Sequence, residues 1–222
     1  MPLKKIKRVA VMQPYFIPYS GFFRLLAQCD LFVIYDCVQF TRRGWLHRNK
    51  LTNFSGRQEW LTLPLEKAPQ NILIKDLLLS TGAEKEIKNR LLKFPLNSND
   101  KVFKQNALLA LFPSTLNAVD YIWNTLEFFM EHLDIECKFI KSSSLGVPRR
   151  LQGVDRVIEI VTRVKGTHYL NAPGGRKLYQ DAQFSKSNLK LEILSDFEGD
   201  TSSILNRTLL GEKEVIKREL MI

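Results

Sequence analysis

A strand–helix–strand pattern near the amino terminus leaves this chain few folds to choose from. Residues 8–12 (RVAVM) form a β-branched run that predicts a buried strand ending at Gln13-Pro14. Residues 22–28 carry apolar side chains at helical spacing, and residues 30–36 form an apolar run of strand length. Two strands joined by one helix over so short a stretch make a βαβ unit. They therefore predict parallel strands with a right-handed crossover.

The rest of the chain alternates in the same way around a helical middle. Strands are predicted at 59–65, 72–79, 136–140, 167–170 and 190–194, helices at 84–92, 104–112, 116–133 and 152–164, and a frayed helix at 212–218. Polar loops are expected at 39–49 and 142–148. These patterns predict one α/β domain over residues 1–222. Its mostly parallel sheet would have flanking helices and a helical insert at about 81–133.

Charge and cysteine content narrow the class of partner. Lys and Arg number 33 against 23 acids, a net charge of +10, which attracts phosphorylated small molecules or an anionic membrane surface. No nucleic-acid-binding motif occurs, so nucleic acid is not an expected partner. No run of about 18 apolar residues occurs, and the three cysteines are read as small core side chains rather than a disulfide framework. A cytoplasmic location is therefore expected.

Polar side chains follow the first two predicted strands at the points where they end. Gln13 and Tyr19 follow the first strand, and Asp36 and Gln39 follow the second. Ligands of open α/β sheets bind at the carboxyl ends of the strands, so these residues are candidates for a site. Asp36 and Gln13 are the candidate catalytic residues, with Asp36 as a general base. The alternative is that both side chains hydrogen-bond to loop backbone and hold the two turns together.

A basic and aromatic stretch follows at Arg42, Arg43, Trp45, Arg48 and Asn49. Arginines around a tryptophan can hold a phosphate or carboxylate while the indole stacks on a sugar or base. The alternative is a solvated basic loop with the tryptophan packed inward.

A third group, Asn171, Gly174, Gly175 and Tyr179, surrounds a glycine pair after a predicted strand, where backbone amides can face an anion. A plain turn is the alternative. The histidines do not show zinc-site spacing, so no metal is predicted, and the sequence does not identify a cofactor.

Three segments together resemble the WbqC-like family. They are VAVMQPYFIPYSGFFRLLAQCDLFVIYDCVQFTRRGWLHRNKL, LQGVDRVIEIVTRVKGTHYLNAPGGRKLY and SSILNRTLLG. The first is long and unusual in composition, and it carries most of the resemblance. The third departs from the family pattern, because Asn206 and Arg207 stand where an aspartate and an apolar residue are common.

The resemblance implies a cytosolic bacterial protein of surface-polysaccharide (O-antigen or amino-sugar) biosynthesis. A transferase that moves an acyl, aminoacyl or similar group onto a sugar nucleotide or a lipid-linked sugar is the activity it suggests. The alternative is a non-catalytic protein that recruits a sugar carrier or a partner transferase. The positions it carries over as site residues are Gln13, Tyr19, Asp36, Gln39, Trp45, Asn49, Asn171, Gly174, Gly175 and Tyr179.

Overall fold

The structure, a computed structural model, describes residues 7–221. The strands in that range are β1 (Arg8–Met12), β2 (Leu31–Ile34), β3 (Arg48–Thr52), β4 (Gln58–Thr62), β5 (Lys138–Lys141), β6 (His168–Asn171) and β7 (Lys190–Ile193). The α-helices are α1 (Ser20–Gln28), α2 (Ala83–Leu91), α3 (Lys101–Ala110), α4 (Ala118–His132), α5 (Gly153–Arg163), α6 (Asp181–Ser185), α7 (Ile204–Leu209) and α8 (Lys213–Leu220). Short 3-10 helices lie at Ile74–Asp76, Ser142–Leu145 and Pro173–Lys177.

Five strands form one parallel sheet in the order β5-β2-β1-β6-β7. β1 lies in the centre of the sheet. β2 and β5 follow on one side of it, and the chain then crosses to the other side of β1 for β6 and β7. The direction of building therefore reverses between β1 and β6. The α/β class with a mostly parallel sheet and flanking helices is confirmed, and the helices of the predicted insert are α2, α3 and α4.

Alternation along the strands gives the sheet a buried layer on each face. Val9, Val11 and Val33 pack with Val157 and Val161 of α5 on one side. Ala10, Phe32 and Ile34 turn to the other side, where they join a larger core that includes α1, α4 and α7. Strands covered on both faces are characteristic of parallel sheets, and this explains why residues 31–34 are continuously apolar.

Two sequence predictions are wrong in the region between β2 and α2. Residues 72–79 do not form a strand: the backbone makes a 3-10 turn at Ile74–Asp76, and only isolated bridges flank it. The predicted loop at 39–49 ends early, because Arg48 and Asn49 begin β3. That strand pairs with β4 in an antiparallel hairpin outside the main sheet. The polar sequence RNKLT hides this strand, since only Asn49 and Leu51 are buried in it.

The carboxyl-terminal tail is not a frayed helix. α8 packs against α1, with Ile216 and Leu220 buried. Arg207 of α7, itself buried, donates to Glu212 and Glu219 and so ties this end of the chain together. Among residues 7–221, no helix combines the length and apolar character needed to cross a lipid bilayer.

Candidate functional site

A crevice of about 410 Å³ lies beyond the carboxyl end of β1, next to the residue that follows β6. This is the point at which the strand order reverses, where ligands of open α/β sheets bind. Its volume is in the range of small-molecule sites. The lining residues are Met12, Gln13, Pro14, Tyr15, Tyr19, Gly21, Phe22, Leu25, Thr41, Gly44, Trp45, Leu46 and Ala172.

Aromatic rings form a continuous wall of this crevice. The ring of Tyr15 lies 5.8 Å from that of Phe22, 5.7 Å from that of Trp45 and 6.5 Å from that of Tyr19, measured between centroids. Burial raises the pKa of both tyrosines above the ordinary value, so both hydroxyls stay protonated at neutral pH. Trp45 is 48% exposed, which leaves an aromatic surface open at the mouth. Such a wall suits the apolar face of a sugar ring.

The loop between β1 and α1 is held in a strained conformation beside the crevice. Ile17 has φ +40°, in the left-handed region that a β-branched residue rarely adopts. Its carbonyl oxygen accepts hydrogen bonds from Asn49 Nδ2 at 2.6 Å and from Ser203 Oγ at 2.8 Å. Asn49 comes from β3 and Ser203 precedes α7, so two distant segments impose this backbone. Asn49, predicted as a substrate-binding residue, is buried and supports the loop rather than lining the crevice.

Gly21 allows the loop to close over the first turn of α1. A Cβ at this position would lie 2.3 Å from the ring of Tyr19 and 3.0 Å from the ring of Phe197. The missing side chain therefore lets the Tyr19 ring approach the first turn of α1 closely, where it lines the crevice.

Asp36 is fully buried and its carboxylate is occupied by two serines. Oδ1 accepts from Ser142 Oγ and from the Ser143 backbone amide, both at 2.8 Å, and Oδ2 accepts from Ser143 Oγ at 2.6 Å. These contacts join the end of β2 to the end of β5, and they are those of a brace. Asp36 does not line the crevice, and its role as a catalytic base stays a prediction.

Cys37, next to Asp36, joins the same polar cluster. Its sulfur lies 2.9 Å from Ser142 Oγ and 2.9 Å from Nη2 of Arg156, an arginine of α5 that is almost entirely buried. The interpretation of the cysteines as plain core side chains holds for Cys29, which is buried, but not for this polar, partly exposed thiol.

A second depression of about 540 Å³ adjoins the crevice and shares Thr41 with it. Gln39, Arg42, Arg43 and Gln70 contribute its polar lining. The Arg42 side chain donates to the backbone of Ala68, whereas the Arg43 side chain is exposed and makes none of the hydrogen bonds found among residues 7–221. This depression is therefore cationic, and the crevice beside it is aromatic.

Arg48 connects the loop that lines the cationic depression to the β3–β4 hairpin. Its guanidinium carbon lies 4.2 Å from the ring centroid of Trp60, and Nη2 donates to the Arg43 carbonyl at 2.6 Å. Trp60 in turn packs at 5.1 Å from Trp45. Nearby His47 is partly buried, and burial followed by the charges of Arg48 and Arg42 lowers its pKa to about 4. It is neutral at physiological pH.

The glycine-rich segment after β6 forms the 3-10 helix Pro173–Lys177 beside the site. Asn171 is buried, and Gly175 has no room for a Cβ because one would lie 2.2 Å from Asn171 Nδ2. Gly174 faces open space, and Tyr179 packs edge-on against Tyr169 at 5.3 Å. None of the four predicted residues of this group lines the crevice, which this segment reaches only through Ala172.

The structure brings five of the predicted site residues to these two depressions, and their roles stay predictions. Gln13, Tyr19 and Trp45 line the crevice, and Gln39 and Arg43 line the adjoining depression. The site residues predicted from the sequence do not include several aromatic and small lining residues, above all Phe22, Gly21 and Thr41. A signal was present in the sequence, because Gly21 and Phe22 directly follow Tyr19.

Comparison with known proteins identifies the family of this chain. The profile of the WbqC-like protein family matches residues 13–198. The chain belongs to the WbqC-like protein family. The matched range includes every crevice residue except Met12, and it ends before the segment at 202–211 that also resembles the family.

The WbqC-like chain also matches a mycobacterial protein. Uncharacterized protein Rv1507c of Mycobacterium tuberculosis is 24% identical over 205 residues, which cover 87% of this chain and 84% of that protein. No solved structure matches the sequence.

Proposed function

We propose that this WbqC-like protein binds a phosphate-linked sugar, carried on a nucleotide or a lipid, for surface-polysaccharide biosynthesis. The observation that carries the proposal is the pairing of an aromatic crevice with a cationic depression across Thr41. The sugar ring packs on Trp45 and Tyr15, and the phosphate lies near Arg43. Gln13 and Tyr19 offer hydrogen bonds to sugar hydroxyl or amine groups.

The distribution of polar groups supports this division of roles. The crevice lining offers neutral groups, namely the Gln13 amide, the Thr41 hydroxyl and two protonated phenols. Neutral donors and acceptors suit an uncharged sugar. Guanidinium groups suit a phosphate, which they bind with charge-assisted hydrogen bonds.

A panel of nucleotide-linked hexoses and amino sugars, with the free nucleotides as separate arms, tests the proposal by thermal unfolding. A ligand at about one hundred times its Kd stabilises a protein by about 2.7 kcal/mol, or about 5–10 °C at this size. We expect a shift with sugar-bearing ligands that exceeds the shift with the matching free nucleotide.

Trp45→Ala provides the matched test of the crevice. The indole is about half exposed, so its loss should leave the fold intact while weakening ligand binding by at least about tenfold. Leu92→Ala, an exposed apolar truncation directly after α2, is the control. Equal affinity in Trp45→Ala and Leu92→Ala, or no shift with any sugar-bearing ligand, would refute the proposal.

A transferase is the second candidate, and the strained backbone at Ile17 favours it. Such strain persists where the surrounding structure imposes it, and it clusters at catalytic sites. The reaction would join a sugar amine to an acyl or aminoacyl carbon. The donor's bond to its leaving group, such as a thiol, would break, and the amine proton would pass to that group. Mass spectrometry of an amino-sugar nucleotide incubated with the protein and an acyl thioester tests this. An unmodified amino sugar would argue against transfer and leave binding as the proposed function.

A further inference from the structure

The β3–β4 hairpin carries an outer face that is cationic and aromatic. Arg48, Lys50 and Trp60 alternate with the buried residues of the two strands, and Lys50 lies directly opposite Trp60 in the ladder. The Lys50 ammonium lies 5.2 Å from the Trp60 ring centroid. We call Arg48, Lys50 and Trp60, together with Phe54 and Arg57 of the turn, the hairpin face.

Charge along this part of the chain has a single sign. Residues 37–58 contain five Lys and Arg and no Asp or Glu. The next acid, Glu59, belongs to the opposite face of β4, since it alternates with Trp60, and its carboxylate pairs with Lys93 at 2.8 Å. Arg48, Lys50 and Arg57 form none of the ion pairs found among residues 7–221, so the hairpin face complements an anionic surface.

The tip of the hairpin holds an aromatic side chain out in solvent. Phe54 is 73% exposed. The turn that presents it is ordered, because Asn53 Oδ1 accepts from the backbone amides of Ser55 and Arg57, each at 3.0 Å. Trp60 and Trp45 are also partly exposed along the same side. Aromatic side chains flanked by Lys and Arg are typical of segments that lie in the headgroup region of a membrane.

We propose that the hairpin face docks on an anionic lipid surface, with Phe54 entering the headgroup region and the cations contacting lipid phosphates. Trp45 connects this surface to the crevice, since its ring packs on Trp60 at 5.1 Å and on Tyr15 at 5.7 Å. This docking rests on the proposed function and narrows the substrate of the crevice to a lipid-linked sugar, which the docked protein takes from the membrane surface.

Single-stranded nucleic acid is another anionic partner that binds aromatic side chains. Its bases need open ring faces on which to stack. The Trp60 ring is packed against Trp45 and lies 4.2 Å from the Arg48 guanidinium carbon, so part of its surface is already covered within the protein. The most exposed ring, Phe54, stands at the tip, where it suits insertion between headgroups.

Co-sedimentation with phosphatidylcholine vesicles, with and without phosphatidylglycerol, tests the docking. The variant is Phe54→Ser with Arg57→Glu. The control is Leu92→Ser with Lys186→Glu, which also replaces one apolar side chain by serine and one cation by glutamate, at exposed positions elsewhere. Each cation near an anionic surface contributes about fivefold to partitioning, so reversing Arg57 should weaken binding by about 25-fold, and loss of Phe54 should weaken it further.

The expected result is binding of wild type and control to anionic vesicles, with the hairpin variant at least about 25-fold weaker. Wild type that ignores anionic vesicles, or a hairpin variant that binds like the control, would overturn the docking. Hairpin-dependent binding of a single-stranded oligonucleotide without vesicle binding would also overturn it, in favour of nucleic acid.

The thermal shift with soluble phosphate-linked sugars separates this inference from the proposed function. Phe54 and Arg57 lie outside the crevice lining, so the hairpin variant should keep the full shift. A shift without vesicle binding by wild type retains the proposed function and removes the docking. Vesicle binding without any shift retains the docking and removes the proposed sugar site.

Discussion

Replacing Asp36 distinguishes a brace from a catalytic base. The carboxylate accepts three hydrogen bonds, from Ser142 Oγ, the Ser143 amide and Ser143 Oγ, in a fully buried position. Hydrogen bonds to charged groups contribute about 1.5–3 kcal/mol each. Because the three share one carboxylate and two adjacent serines, their sum is best taken from the low end of that range. Asp36→Ala should therefore cost about 4 kcal/mol of unfolding free energy, or about 10 °C in Tm.

Asp36→Asn should cost far less. The amide oxygen can take the place of Oδ1 and accept from Ser142 and Ser143, while the amide nitrogen donates to the Ser143 hydroxyl, which rotates to accept. Only the charge of the acceptor is lost, so a cost of about 1 kcal/mol is expected. Urea unfolding of both variants measures these free energies. Glu198→Ala, which removes an exposed carboxylate that forms no ion pair among residues 7–221, is the control and should stay within about 0.5 kcal/mol of wild type.

Two outcomes would contradict the brace. Asp36→Ala as stable as wild type would show that the three hydrogen bonds contribute nothing net. A folded, ligand-binding Asp36→Asn protein that loses turnover in an established transfer assay would instead identify Asp36 as the base.

The remaining predictions concern the strained loop and one histidine. Asn49→Ala and Ser203→Ala each leave the Ile17 carbonyl with one partner and should cost about 1–3 kcal/mol; a double-mutant cycle measured by urea unfolding should show coupling, and simple additivity would mean that the two bonds act independently. For His47, the pKa of about 4 lies below the unfolded value of 6.5, so its contribution is fully present above pH 6.5 and is lost as pH falls toward 4. Relative to His47→Gln, wild type should lose about 1–2 kcal/mol over that window after allowance for partial exposure, and parallel pH profiles would refute this.

The sequence was sufficient to predict the sheet, because continuous apolar runs such as residues 31–34 and helices with one apolar face leave a parallel arrangement as the simplest solution. It was insufficient for β3. There the pattern RNKLT alternates only weakly, and the strand forms because Asn49 finds a buried partner in the Ile17 carbonyl. Local propensity carries no information about such a contact.

The candidate site was predictable at the level of strand ends and not at the level of contacts. Gln13, which directly follows β1, and Tyr19, which directly precedes α1, both line the crevice. Asp36 closely follows β2, but its partner Ser142 lies 106 residues later, and the paired carboxylate does not line the crevice. The position of a residue at a strand end predicts where its backbone lies, whereas contacts with residues distant in sequence determine the orientation of its side chain.

Under the proposed function, the chemistry of the crevice restricts the reactions of a sugar bound there. Its polar lining consists of Gln13, Thr41, Tyr15 and Tyr19, and burial keeps both phenols protonated at neutral pH. Such groups donate and accept hydrogen bonds, but they do not remove a proton from a sugar hydroxyl. A sugar amine in its neutral form already carries a free lone pair and can attack an activated acyl group without that step. For group transfer, the lining therefore favours an amino sugar over a hydroxyl as the acceptor.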